Sequence, residues 1–123
     1  LRIMRLLAEH PFAGLRRPLQ VFYGEITSIV ICEWIEGKDW KSLQIGVEEN
    51  VWIMMQVADA LEHLHSTLGL NHGDVHGGNV IIDRRGRAHL VDFGHSQARS
   101  CACRGAEPHL DVKKLAETAR KLI

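Results

Sequence analysis

One stretch constrains this chain more than any other. Val51, Met54, Val57, Ala58, Leu61, Leu64 and Leu68 recur at steps of three and four. That period predicts one long amphipathic helix over 47–67, closed by Gly69 at its C-terminal end. A helix with a single apolar face must cover it against another layer. The flanking sequence supplies short strands for that layer. Residues 19–23 and 27–35 read as a hairpin around the turn Gly24-Glu25, the second strand being rich in β-branched residues at Ile29, Val30 and Ile31. Gly37 breaks that strand. Residues 80–82 and 88–91 read as two further strands, joined by the turn chemistry of Asp83-Arg84-Arg85-Gly86. Ile3, Leu6 and Leu7 predict a first helix over 2–8, ended by His10-Pro11. Asp39 is the predicted cap of a short turn over 40–43. Asp111 is placed to cap a last helix over 112–123, with Leu115, Ala119 and Leu122 on one side, and 96–109 reads as irregular. The predicted class is α+β, with helices dominating.

The chain has 123 residues, of which 46% are hydrophobic and 24% charged, enough for one core and too apolar for whole-chain disorder. Fifteen Lys and Arg balance fifteen Asp and Glu, so the electrostatic footprint of a dedicated nucleic-acid binder is missing. No apolar run approaches membrane-spanning length, and 1–7 is too short and too basic for a signal-peptide core. Leu rather than Met at position 1 points to a chain trimmed or cut from something longer. Cys32, Cys101 and Cys103 make an odd set with no disulfide framework, which fits free thiols in the reducing cytoplasm.

Residues 71–94 read N-H-G-D-V-H-G-G-N-V-I-I-D-R-R-G-R-A-H-L-V-D-F-G. His72, Asp74 and Asn79 form H-x-D-x-x-x-x-N, and Asp92-Phe93-Gly94 follows after a strand–turn–strand. Either motif alone is weak; the two in order, behind a long amphipathic helix, are specific. The segment resembles the catalytic and metal-binding loops of the protein-kinase-like superfamily. Phosphoryl transfer asks the protein for positioning and charge neutralisation rather than covalent chemistry. The resemblance implies Asp74 as the carboxylate that orients, or takes the proton of, an attacking hydroxyl. It implies Asp92 and Asn79 as oxygen donors to Mg²⁺ bound with ATP. His72 and Phe93 are implied as packing residues, and Gly94 as the residue that turns the chain.

The resemblance extends outward. Residues 29–37 look like the hinge that links two kinase lobes, with Cys32 at the gatekeeper position, the backbone of Glu33 and Ile35 facing the adenine edge, and Ile81 beneath the adenine. Asp111 resembles the acidic start of a helix that braces the catalytic loop; a plain N-cap is the alternative. The implied fold is a partial kinase-like domain over 1–123: the end of one N-lobe helix, the hinge at about 29–37, and a mainly helical C-lobe from about 38 with a catalytic-loop hairpin. The glycine-rich loop and strand lysine of the N-lobe are absent from the sequence.

Two departures bear on the acceptor. Gly73 stands where many protein kinases carry the arginine that pairs with an activation-loop phosphate. His76 stands where they place a lysine, and this loop looks closer to aminoglycoside and choline phosphotransferases. The implied activity is transfer of the γ-phosphate of Mg·ATP to a hydroxyl of a protein Ser/Thr or of a small molecule. A pseudokinase-like binding module without transfer activity is the alternative. Elsewhere the plain readings hold. Cys101-x-Cys103 with His95 and His109 is no usual zinc knuckle. His63 and His65 read as surface or boundary residues, Arg84, Arg85 and Arg87 as a solvated tip, and Trp34, Trp40 and Trp52 as a core cluster near the hinge. A lobe ending at these edges is expected to expose Leu6, Leu7, Ile29 and Ile31.

Overall fold

The computed structural model describes residues 2–98 and 108–123. Helix α1 spans Arg2–Glu9, and strands β1 (Pro18–Phe22) and β2 (Ile29–Cys32) form the expected antiparallel hairpin, with Val21 opposite Val30. A third strand, β3 (Gly37–Asp39), follows, then a 3₁₀ turn at Trp40–Ser42. Helix α2 runs Val47–Glu62 and widens into a π turn over His63–Thr67, where Leu68 N–H donates to His63 O at 3.3 Å. Gly69, at φ +66°, ends it in the left-handed conformation the sequence predicts. Strand β4 is Leu70–Asn71, a 3₁₀ turn occupies Gly77–Asn79, and β5 (Val80–Asp83) and β6 (Ala88–Leu90) form the second hairpin. Strand β7 (Gln97–Ala98) and helix α3 (Pro108–Leu122) complete the described elements.

Three small antiparallel sheets result: β1–β2, β3–β5–β6 and β4–β7. The mixed helix-and-sheet class is the one expected, with local corrections. Gly37 joins a strand rather than only breaking one: it packs so closely on β5 that a Cβ there would lie 2.1 Å from Ile82 O. Close backbone approach is what a strand glycine permits. Asp39 caps no backbone N–H; its Oδ1 accepts the Ser42 hydroxyl at 2.7 Å.

The core lies between α2, the β5–β6 hairpin and α3, with Val57, Leu61, Leu64, Leu70, Val80 and Leu90 all fully buried. The inward face of α2 carries Asn50, Ile53, Val57, Ala60 and Leu61, whereas Ala58 is exposed and Val51 and Met54 are only half-buried. The face is rotated from the predicted one because Asn50 is a core residue. Trp40 Nε1 donates to Asn50 Oδ1 at 2.8 Å, while Asn50 Nδ2 donates to Gly46 O and Leu122 O at 3.1 and 3.2 Å. One buried amide therefore ties the 3₁₀ turn, α2 and the end of α3. Trp40 is the only one of the three predicted tryptophans in the core; Trp34 and Trp52 are exposed. Ile29 and Ile31 are exposed as expected, but Leu6 is half-buried and Leu7 buried against the core.

Candidate active site

The two motifs are brought together by backbone pairing. Asn71 pairs with Gln97 across β4 and β7, closing the ends of the 71–97 segment. Between them, Val91 N–H donates to Asn79 O at 2.9 Å, so Asp92 leaves the hairpin one residue beyond Asn79. Asn79 N–H in turn donates to His76 O at 2.9 Å, closing the 3₁₀ turn.

Within this frame Asn79 and Asp74 are in direct contact. Asn79 Nδ2 donates to Asp74 O at 2.9 Å and to Asp74 Oδ2 at 3.1 Å. Asn79 is buried, whereas Asp74 is half-buried and opens to solvent. His76 Nε2 and His95 Nδ1 lie 3.6 and 3.7 Å from the same Oδ2, beyond hydrogen-bond range but close enough to interact electrostatically.

His72 holds the loop from beneath. A carbonyl can only accept, so its bond to Val91 O at 2.8 Å fixes the proton on Nε2. Nδ1 is then the acceptor for Asp74 N–H at 3.1 Å. Both ring nitrogens are used by the neutral tautomer, and the ring packs edge-on against Phe93 at 5.1 Å, the packing role expected of both residues. Burial pushes the His72 imidazole below its ordinary value, opposed by the Val91 bond and the carboxylates of Asp111, Asp74 and Asp92.

Asp111 is the residue the sequence left most ambiguous. It lies inside the first turn of α3, almost fully buried, and its carboxylate accepts three hydrogen bonds: from His72 N–H at 2.7 Å, Gly73 N–H at 2.9 Å and His65 Nε2 at 2.7 Å. It braces the loop and is not a simple N-cap. Burial pushes its carboxyl up, but the bonds from His65, Gly73 and His72 outweigh that and hold it below the usual carboxylate value. His65 is correspondingly a buried residue, not a surface one. The π turn had no sequence signal, and it is where His65 departs from α-helical geometry.

Backbone strain is concentrated here. Asp92 adopts φ +61°, a left-handed conformation that costs a non-glycine residue about 1–3 kcal/mol. Its Oδ1 accepts Gly94 N–H at 3.2 Å. The turn expected of Gly94 is thus taken by Asp92 itself. Gly73 is at φ +89°, and a Cβ there would lie 2.4 Å from His95 O. Position 73 therefore cannot carry an arginine in this loop.

The hinge stretch is only partly assembled as expected. Cys32 ends β2 opposite Pro18 and is a half-buried free thiol. Glu33 N–H donates to Arg17 O and Glu33 Oε1 accepts Arg17 N–H, both at 3.0 Å, so of the Glu33 backbone groups only the carbonyl remains for another partner. Residues 33–36 line a cavity of about 310 Å³ together with the β5–β6 turn, where Arg84 pairs with Glu36. Cys32 and Ile81 do not line it; Ile81 sits half-buried on β5 between Asp39 and His89. The basic turn is held by Asp83, whose Oδ1 accepts Arg85 and Arg87 N–H and whose Oδ2 meets His89.

Among the described residues no three His, Cys, Asp or Glu side chains are grouped to hold a metal. Cys101 and Cys103 lie outside the described residues. The oxygen donors that remain suit Mg²⁺, which takes one or two protein oxygens and completes its shell with water and phosphate. Asn79 spends its Nδ2 on Asp74, which leaves its oxygen as the donor, and Asp92 adds a carboxylate.

A buried histidine–aspartate brace, an Asp–Asn pair and a strained Asp at the end of an adjoining hairpin lie together in a protein-kinase-like arrangement. Residues 23–106 match the ABC1 atypical kinase-like domain, and the chain belongs to that family. It is 33% identical over 96 residues to the serine/threonine-protein kinase PKH3 of Saccharomyces cerevisiae, covering 74% of this chain and 11% of that protein. It is 38% identical over 73 residues to a probable serine/threonine-protein kinase, pkgA, of Dictyostelium discoideum, covering 55% of this chain and 5% of that protein. It is 35% identical over 71 residues to the chloroplastic protein Activity of BC1 Complex Kinase 1 of Arabidopsis thaliana, covering 54% of this chain and 10% of that protein. The chain spans about a tenth or less of the length of these curated relatives. Among the described residues no helix is long and apolar enough to cross a membrane.

Proposed function

We propose that this chain is the catalytic-loop portion of an ATP-dependent phosphotransferase, moving the γ-phosphate of Mg·ATP to a hydroxyl. Its parts are the end of a helix at 2–9, a hinge at 29–37 and a mainly helical lobe from 38 onward. The observation that carries this reading is the Asn79–Asp74 contact, with Asp92 placed one residue beyond the Val91–Asn79 backbone bond.

Asp74 is the orienting carboxylate. Its Oδ2 is taken by Asn79 Nδ2, which leaves Oδ1 for the acceptor hydroxyl. The hydroxyl proton moves towards Asp74 as its oxygen attacks the γ-phosphorus and ADP departs. A general base of this kind contributes about 10²–10⁴-fold. Asn79 and Asp92 would hold Mg²⁺, which when bound neutralises charge on the phosphates. Cys32, the backbone of Glu33 and Ile35, and Ile81 are assigned to the adenine. The acceptor is a protein Ser/Thr or a small molecule. The free thiol of Cys32 suits the reducing cytoplasm as the compartment.

Asp92→Asn in the full-length protein tests the site. It keeps the shape of the side chain and removes its charge, so Mg·ATP-dependent phosphorylation should be lost. Full retention of activity would sink the assignment of Asp92 as a metal ligand.

A further inference from the structure

Two neighbouring shallow cavities, of about 180 and 200 Å³, lie between the loop and α3, and Asp74 lines the first. They share His76, Thr118 and Lys121; the first also takes in Asp74, Lys114 and Glu117, and the second Lys41. Lys114, Glu117, Thr118 and Lys121 recur at helical steps, so α3 turns one face carrying two lysines and one glutamate to the loop. Lys41 reaches the same place from the 3₁₀ turn. The Gly77–Gly78 backbone passes so close that a Cβ on Gly77 would lie 2.9 Å from Lys41 Cβ, and one on Gly78 would lie 3.5 Å from Lys41 Nζ. The Lys41 ammonium therefore sits over the turn between Asp74 and Asn79.

The charges do not cancel. Lys114 Nζ lies 3.7 Å from Glu117 Oε2, an exposed pair. Lys41 and Lys121 are in ion-pair range of no carboxylate among the described residues. With the Lys114–Glu117 pair set aside, Lys121 beside Asp74 and Lys41 in the adjoining cavity leave an excess of positive charge, which favours anions. The carboxylate of Asp74 would itself repel an anionic acceptor, and these lysines offset that repulsion. The same pair of charges disfavours a cationic acceptor.

We propose that the hydroxyl presented to Asp74 belongs to an anionic acceptor, with a carboxylate or phosphate group close to the hydroxyl seated between Lys41 and Lys121. This rests on the phosphotransfer reading of Asp74. It opposes the cationic acceptors that the loop's likeness to choline and aminoglycoside phosphotransferases suggests.

The test is a competition in the full-length protein with Mg·ATP. One pair of acceptors is a serine peptide flanked by glutamates against the same peptide flanked by lysines. A second pair is glycerol 3-phosphate against choline. The first pair reports a peptide source of the anion and the second a small-molecule source. In at least one pair kcat/KM should favour the anionic member by about tenfold or more, and K41E/K121E should invert that rank. K121E alone, on an exposed helix position, should narrow it if the double variant is poorly folded. Equal or preferred use of the cationic member in both pairs would overturn the proposal, and so would an unchanged rank in the variants. ADP release with no charge preference would defeat only this inference. No ADP release with any acceptor would defeat the phosphotransfer reading, and this inference with it.

Discussion

Asp111→Asn offers the sharpest probe of how the loop is held. The substitution preserves shape and removes a charge that accepts hydrogen bonds from His65, His72 and Gly73 while almost fully buried. An amide has one acceptor oxygen where the carboxylate has two, and its NH₂ would face donors. At least one of the backbone N–H groups of His72 and Gly73, the first buried and the second part-buried, then loses its partner. Each hydrogen bond to a charged group is worth about 1.5–3 kcal/mol, and each orphaned donor costs about 1–3 kcal/mol. Relief of carboxylate desolvation offsets part of this. The net loss should be about 3–5 kcal/mol, a large share of a typical domain's 5–15 kcal/mol. In a thermal melt that corresponds to about 10–20 °C for a chain of this size.

Urea unfolding followed by far-UV circular dichroism gives the measurement, with the midpoint expected to fall and the slope to stay constant. The pH dependence supplies an internal control. Asp111 is held below its ordinary value of 3.8 in the folded state, so its contribution is present above that pH and lost as pH falls through the folded value. Wild type should therefore lose more stability in that acid range than Asp111→Asn, which keeps only the losses from other groups such as His72 and Asp83, and the gap between them should narrow. A loss below about 0.5 kcal/mol at neutral pH would refute the bracing role. A gap that persists undiminished in acid would show that the charge is not its source.

Three further outcomes follow from the same geometry. Gly73→Ala should cost about 2–5 kcal/mol, from left-handed strain plus collision with His95 O; Gly86→Ala, at φ +78° with open space around it, should cost only the strain of about 1–2 kcal/mol. Equal losses in thermal melts of the two variants would remove the close approach as a cause. His72, held below its ordinary value of 6.5, should make stability decline as pH falls from that value, with Asp111 and Asp83 adding to the loss below 3.8. A pH series of urea midpoints that is flat between neutrality and pH 5 would contradict a neutral, buried His72. Asp74→Asn should reduce kcat by about 10²–10⁴-fold with a smaller effect on KM, read by steady-state phosphotransfer.

Much of this was legible in the sequence where the signal is local. The span of α2, its terminal glycine and the two hairpins follow from periods and turn residues that act within a few positions. The motif spacing already placed Asp74 and Asn79 in one loop. What escaped was set by distant partners. Ala58 and Val51 satisfy the same helical period as Ile53 and Ala60. The observed face is the one that brings Asn50 to the Trp40 indole and to Leu122 O, partners outside the helix itself. Strands β4 and β7 are two residues each and carry no alternation, so their pairing could not be read. The π turn that frees His65 from the helix lattice has no residue signature. Asp111 could be read as a cap because capping is local, whereas its three donors lie at 65, 72 and 73, far away in sequence.

The polar residues of the loop divide by burial, and the division has a chemical reason. His72, Asn79 and Asp111 are buried, and the bonds they make fix backbone positions or one another. Asp74 is half-buried and Asp92 exposed, and each carries a carboxylate oxygen that the described hydrogen bonds leave open. A reaction driven by positioning and charge gains most when its oxygens are aimed before the substrates arrive, because no reorganisation is then needed at the moment of transfer. Conformational strain is the counterpart of that arrangement. Asp92 at φ +61° carries that strain, and it sits with Gly73, whose φ of +89° only glycine takes freely, on the two segments that the His72–Val91 bond and the β4–β7 pair clamp together. The buried brace ties the loop to α3, which is why a substitution at Asp111, whose oxygens face only donors inside the protein, should alter the loop.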